Sequence, residues 1–136
     1  MDAALLDTDI LNEVLKQKNA NVVRHAAAYL AQHGQFAISS ITRYELLRGL
    51  KEKNASSQLA RFQAFCQQTT IFPVADDILD RAVDLWVAGR TQGLAPKDAD
   101  VIIAATALHH GRVLVTGNLA HFAWIPGLTI NNWRNP

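Results

Sequence analysis

Short apolar runs alternate with longer stretches of helical periodicity along the chain. Ala3–Leu6, Phe36–Ile38 and Thr70–Val74 are three of these runs, and Val113–Thr116 is the clearest of them. Leu128–Ile130 is a candidate for a last strand at an edge. Continuous apolar runs of this length are typical of strands that are buried on both faces.

Between these runs, apolar residues recur at the spacing of amphipathic helices. Gly93 and Gly111 follow two of the helical segments, at positions suited to a left-handed C-terminal cap. Helices that separate buried strands indicate right-handed crossovers and a mostly parallel sheet with helices on both faces. Without an internal repeat or linker, the pattern predicts a single three-layer α/β/α domain over residues 1–136. The predicted helices are 10–15, 22–30, 42–51, 56–66, 76–92 and 98–110.

Polar residues follow the predicted strands at their carboxyl ends. Asp7 leaves the first strand, and Thr116 and Asn118 leave the fourth, so a parallel sheet places them on one rim. Glu45 and Asp100 lie near the starts of helices that could face the same rim. Two carboxylates about 4 Å apart repel by roughly 4 kcal/mol at an effective dielectric constant near 20. Such a cluster needs protons or a cation, and its hard oxygen ligands suit Mg²⁺ or Mn²⁺.

Each of these acids also has an interpretation as a helix cap. Thr42–Glu45 matches the capping-box pattern, and taken alone this favours a cap for Glu45. Asp98 stands where an N-cap is expected, and Asp100 falls in the first turn, where the helix dipole favours negative charge. We therefore predict a cap at Asp98 and leave both roles open for Asp100.

The first strand is followed by two acids, Asp7 and Asp9, either of which could cap a helix or form a turn. Capping requires only one of them. Asn118 is also compatible with a simple turn, and His121 nearby is interpreted as structural or solvent-facing. What favours a metal site is that all the acids fall on elements that converge on one rim.

Composition narrows the class of protein. Of the 136 residues, 49% are hydrophobic and 18% are charged, which is typical of a globular domain. The net charge of +1 neither requires nor excludes a nucleic-acid partner. Cys66 is the only cysteine, and no signal peptide or bilayer-spanning stretch is apparent, so we expect no membrane association and a cytoplasmic location.

Four segments together resemble a known family, the PIN-domain ribonucleases, and in particular the VapC-type toxins of bacterial toxin–antitoxin pairs. The resemblance covers nearly the whole chain in the family's order. Its acids fall on Asp7, Glu45 and Asp100. The four segments are residues 5–11, 39–49, 98–107 and 115–133.

The resemblance implies a PIN-like fold and a Mg²⁺-dependent endoribonuclease, with Mn²⁺ as a possible substitute. Asp7 and Asp100 would hold the metal. Glu45 would position or deprotonate the attacking water, or act as a further ligand. Thr116 and Asn118 would orient a carboxylate or contact phosphate. The implied partners are an RNA substrate, a cognate VapB-type antitoxin and a second copy of the chain, with a larger toxin–antitoxin assembly possible.

The chain departs from the family at two positions. Asp9 stands where members often have Asn, so it adds charge to the site or merely caps a helix. Many members carry a fourth acid near the end of the fourth strand, where this chain has Asn118 and His121. One Mg²⁺, or a second held mainly by substrate phosphate, is therefore expected.

Two other functions remain open at this stage. Asp7-Thr8-Asp9 also fits a D-x-D phosphohydrolase, although that class generally has Thr or Val where this chain has Leu11. A catalytically silent PIN-like binding module is less favoured because the acids are intact. The RNA that would be cut is not indicated by any of these residues.

Overall fold

Five strands and seven helices alternate along the chain in the computed structural model, which describes all residues 1–136. None of the helices is both long enough and apolar enough to cross a bilayer. The elements are β1 (Ala4–Leu6), α1 (Thr8–Lys16), α2 (Ala20–His33), β2 (Ala37–Ser39), α3 (Ser40–Glu52), α4 (Ser56–Gln67), β3 (Thr70–Phe72), α5 (Asp76–Thr91), α6 (Asp98–His109), β4 (Val113–Val115), α7 (Leu119–Phe122) and β5 (Ile130–Asn131).

Every strand pairing is parallel, which confirms the predicted sheet. β1, β4 and β5 form one hydrogen-bonded set in the order β1-β4-β5, and β2 pairs with β3 in a second set. The two sets meet where β1 lies beside β2. Leu6 is in register with Val115, so β1 and β4 end side by side and deliver the residues that follow them to one rim.

The core lies on both faces of this sheet, because successive residues of a strand point to opposite sides. Leu6 packs in an apolar cluster with residues of α1 to α4 and with Trp133. Leu5 belongs to the opposite cluster, formed with α5, α6 and the segment after β4. The predicted three-layer α/β/α architecture is therefore confirmed, with β1 at its centre.

Several element boundaries differ from the prediction by a few residues. α3 begins at Ser40, two residues early, because Ser39 at the end of β2 already caps it. α6 begins at Asp98, as predicted, but Lys97 and not Asp98 occupies the N-cap position. β5 is Ile130–Asn131, slightly later than predicted, and it pairs with the end of β4. The short helix α7 was not predicted, because four residues carry too little periodicity to be recognised.

Candidate active site

Asp7 lies at the junction of β1 and α1, where it caps the helix and faces the rim at once. One carboxylate oxygen accepts the Thr8 backbone N–H at 2.8 Å, and the other accepts the Thr116 hydroxyl at 2.7 Å. The side chain is only 5% exposed. Burial, together with the charges of Asp9 and Asp100, raises the pKa of Asp7 to about 7, against the lowering effect of the two hydrogen bonds. A cation near this buried carboxyl would stabilise its ionised form and lower its pKa.

Asp100 lies in the first turn of α6 and faces α7. Its carboxylate is 3.0 Å from Nδ1 of His121. Burial raises the pKa of Asp100, the contacts with His121 and Lys97 oppose that rise, and the charge of Asp9 adds to it. Asp7 and Asp100 also act on each other electrostatically, as expected for two acids on one rim.

Asp98 is not brought into this group. It is exposed and has no side-chain hydrogen bond or ion pair. The prediction that it caps α6 is wrong, because Lys97 occupies the N-cap position and no side chain caps this helix end. Asp98 contributes to the first turn only through its charge.

Glu45 is held by α1 rather than by its own helix. Its Oε1 accepts the Thr8 hydroxyl at 2.8 Å, across the interface between α3 and α1. The capping-box interpretation is wrong, because Thr42 is buried inside α3 and the cap is Ser39, whose hydroxyl accepts the Ile41 N–H. The Glu45 carboxylate therefore lies near the rim, because Thr8, which it contacts, directly follows Asp7 in the chain.

Asp9 is tied down by several donors. Oδ1 accepts the Ile10 N–H at 2.8 Å, and Oδ2 accepts the Gly117 N–H at 3.0 Å. The guanidinium of Arg134 lies 3.5 Å from the same Oδ2. Asp9 thus fixes the loop that follows β4, and a cation from the C-terminal segment accompanies its charge.

Two predicted supporting residues have different outcomes. Thr116 is fully buried, donates to Asp7, and accepts the backbone N–H of Asn118 at 3.0 Å. Asn118 is exposed, and its side chain neither caps α7 nor hydrogen-bonds a carboxylate. Thr116 is thus placed to orient Asp7, whereas the Asn118 side chain contacts none of the acids.

Three neighbours of the acids were not identified from the sequence. Thr8 lies between Asp7 and Asp9 in the sequence, and this position could have identified it as a neighbour of the acids. His121 was interpreted as structural or solvent-facing, but it pairs with Asp100. Arg134 reaches Asp9 from the far end of the chain, and local sequence gave no signal for it.

The donor chemistry of the rim fits a hard divalent cation. Asp7, Glu45 and Asp100 supply carboxylate oxygens, and burial together with the charge of Asp9 raises the pKa of both Asp7 and Asp100. As placed, no three acid, imidazole or thiol groups converge on one point at coordination distance. The carboxylates are instead held by Thr8, Thr116 and His121.

The family model described as the PIN domain matches residues 4–123. The chain belongs to the PIN-domain family. Within it, the chain resembles VapC-type members: Ribonuclease VapC19 of Mycobacterium tuberculosis is 34% identical over 125 residues, which cover 91% of this chain and 95% of that protein. The match to the PIN domain includes all three predicted acids and ends before Arg134.

Solved structures agree with this assignment. The DNA-bound VapBC complex of Salmonella typhimurium contains a chain that superposes with a TM-score of 0.86 at 26% identity, over 98% of this chain and 99% of that one. A chain of a toxin–antitoxin complex from Klebsiella pneumoniae has a TM-score of 0.72 at 33% identity, over 93% and 95% of the two chains. This PIN-domain protein therefore shares both fold and sequence with chains found in VapBC-type complexes.

Proposed function

We propose that this PIN-domain protein is a Mg²⁺-dependent endoribonuclease, the toxin of a VapBC-type pair acting in the cytoplasm. The observation that carries the proposal is the buried carboxyl of Asp7, with its pKa raised to about 7, on a rim shared with Asp100 and Glu45. Capping α1 does not require a charge there, whereas binding a divalent cation does. The similarity to Ribonuclease VapC19 favours RNA cleavage over the D-x-D phosphohydrolase and the silent module.

In this proposal, Asp7 and Asp100 would hold Mg²⁺, or Mn²⁺ in its place, directly or through water. A bound cation of this kind lowers the pKa of a ligated water and stabilises charge on a phosphate. Glu45 positions or deprotonates the attacking water, or serves as a further ligand. Hydrolysis by water leaves a 5′-phosphate and a 3′-hydroxyl, so a 2′,3′-cyclic phosphate product would contradict this mechanism.

The remaining neighbours keep these groups in place. Thr116 fixes the rotamer of Asp7, His121 fixes Asp100, and Thr8 holds Glu45 against α1. We propose that Asn118 contacts substrate phosphate, because its side chain is exposed and forms no hydrogen bond within the protein. Because Asn118 and His121 are not acids at neutral pH, we propose one protein-held metal rather than two.

Two cavities between α1 and α4 support an antitoxin partner. One cavity of about 590 Å³ lies between α1, α3 and α4, and a second of about 510 Å³ lies between α1, α2 and α4. Leu15 and Arg61 line both, so the two cavities adjoin. The second cavity is mostly apolar, and Lys16, Lys18 and Arg61 outnumber Glu13 in the first. This combination fits an amphipathic acidic segment, which we propose is part of the VapB-type antitoxin.

The exposed face of α5 supports a homodimer. Val83, Trp86 and Val87 are 59%, 39% and 51% exposed, and with Leu79 they form one apolar stripe at helical spacing. We propose that a second copy covers this stripe and that dimers join the antitoxin in a larger assembly. Light scattering coupled to size exclusion should give a dimer mass, and Val83→Glu should reduce it to the monomer. A monomer at all concentrations would contradict the dimer.

The decisive experiment is cleavage of bacterial total RNA by purified, antitoxin-free protein, with Mg²⁺ or EDTA. Discrete fragments should appear with Mg²⁺ only and disappear in Asp7→Asn. Asp98→Asn is the matched control, because it removes an acid from the same helix turn as Asp100 but outside the group, and it should cleave normally. Turnover of a small phosphate ester without RNA cleavage would favour the phosphohydrolase instead.

Glu45→Gln tests the role of Glu45 separately. The Gln carbonyl can still accept the Thr8 hydroxyl, so α1 and α3 should stay packed as they are. Loss of the carboxylate should lower the cleavage rate by roughly 100-fold. A folded variant with full activity would show that Glu45 is neither base nor ligand.

A further inference from the structure

Arg134 brings a positive charge to the acidic rim from outside the matched PIN segment. Its Nη1 lies 3.5 Å from Oδ2 of Asp9, and its Nη2 lies 3.9 Å from Oε1 of Glu13. The side chain is 38% exposed, so it is partly shielded from solvent. None of the sequence segments that suggested the metal site includes this residue.

The backbone around Arg134 is held independently of its guanidinium. Trp133 is 1% exposed and packs in the core cluster beneath α2. The Asn21 side-chain amide donates to the Arg134 carbonyl at 2.8 Å, and the Arg134 N–H donates to Asn132 Oδ1 at 3.0 Å. His25 Nε2 is 2.9 Å from the Asn135 carbonyl. The guanidinium can therefore be altered without releasing the segment that carries it.

Gly117 shows how closely the guanidinium approaches the rim. A Cβ placed on Gly117 would lie 2.0 Å from Arg134 Nη1 and 2.8 Å from Asp9 Oδ2. The Gly117 N–H donates to that same oxygen. Asp9 Oδ2 is thus flanked by a backbone donor and a guanidinium, and a Cβ at residue 117 would have to displace the guanidinium or the carboxylate.

We propose that Arg134 is a positioning residue that offsets the charge of Asp9 and thereby sets the affinity of the rim for a divalent cation. With Arg134 in place, the Asp9 carboxylate accepts hydrogen bonds from Gly117 and from Ile10 in α1. The cation would then bind Asp7, Glu45 and Asp100. Without Arg134, the full charge of Asp9 acts on the rim. The proposal rests on the metal site proposed above, and it concerns the strength of that site rather than its existence.

The test is calorimetric titration of Mn²⁺ into metal-free protein, without RNA. Arg134→Gln should bind Mn²⁺ roughly three- to fivefold more tightly, and Asp9→Asn more weakly by a similar factor. The double variant should return to within about twofold of the unaltered protein, because both charges are then gone. Arg134→Lys, which keeps the charge, should stay close to the unaltered affinity.

Arg81→Gln is the matched control. Arg81 is an exposed arginine on α5 with no side-chain hydrogen bond or ion pair, so its loss changes the net charge equally but away from the rim and from the segment that carries Arg134. Its Mn²⁺ affinity should not change. Equal affinities for Arg134→Gln and the unaltered protein would overturn the inference and limit the guanidinium to its ion pairs with Asp9 and Glu13. An unaltered protein that cleaves RNA yet binds no Mn²⁺ would overturn the metal site and this inference together.

Discussion

Two strand-to-helix junctions in this sheet have the same design but different chemistry. Asp7 caps α1 at the end of β1, and Ser39 caps α3 at the end of β2. Both backbones are extended, both side chains are buried, and both accept a first-turn N–H. Asp and Ser are about equally good caps, so capping alone does not explain the choice. The junction at Ser39 buries no ionisable group, whereas the junction at Asp7 buries a carboxyl that a bound cation would keep ionised.

The largest expected difference between the two junctions is the loss of RNA cleavage when the cap at residue 7 is changed. Asp7→Ser keeps a capping hydroxyl but removes the carboxylate, so RNA cleavage should fall by at least roughly 100-fold while α1 remains folded. Ser39→Ala should keep most of the activity. Initial rates of RNA cleavage, with circular dichroism to verify folding, measure both variants. Comparable losses in the two would mean that the junctions differ only in local structure.

The second test uses pH. The folded pKa of Asp7 is about 7 and the ordinary value is 3.8, so the folded chain holds an extra proton between these values. Stability due to that proton is complete at low pH and is lost as the pH rises from about 4 to about 7. Relative to the unaltered protein, Asp7→Ser should therefore gain roughly 4 kcal/mol in unfolding free energy between pH 4 and pH 8.

Urea unfolding in EDTA at both pH values provides this difference. Ser39→Ala is the control, because it has no carboxyl and its difference from the unaltered protein should not vary with pH. A pH-independent difference for Asp7→Ser would show that folding does not shift the pKa of Asp7, and hence that burial of its carboxylate has no cost.

The smallest expected effect is the loss of the Ser39 cap itself. Ser39→Ala removes the acceptor for the Ile41 N–H and should lower the unfolding free energy by about 1 kcal/mol. Ser39→Asp should cost more above pH 7, because it would bury a charge with no Thr116 to bond it. Urea unfolding at pH 8 compares them, and an Asp variant as stable as Ser would argue that this junction also tolerates a carboxylate.

The layers and the main acids were predictable because they depend on local patterns. Buried runs such as Val113–Val115 indicate strands through their own composition, and the parallel arrangement then places Asp7 beside Thr116. Glu45 was harder, because Ser39, Ser40 and Thr42 are all residue types that cap helices. Burial of Thr42, which is a tertiary property, decides the start of α3.

The residues that were missed act over long sequence separations. His121 meets Asp100 because α7 turns back over α6, and four residues give no periodicity to predict that turn. Arg134 meets Asp9 because Trp133 docks into the core beneath α2. Both contacts depend on how the final segment packs, which single-chain patterning does not determine.

The central strand β1 also governs how the molecule opens. Leu5 and Leu6 belong to different core clusters, so neither cluster can come apart without disturbing this three-residue strand. The amide hydrogens of β1 should exchange with solvent only through global unfolding, whereas those of the edge strand β5 should exchange through local opening. Because Asp7 directly follows β1, its carboxyl should keep its position during the local openings expected at the edge strand.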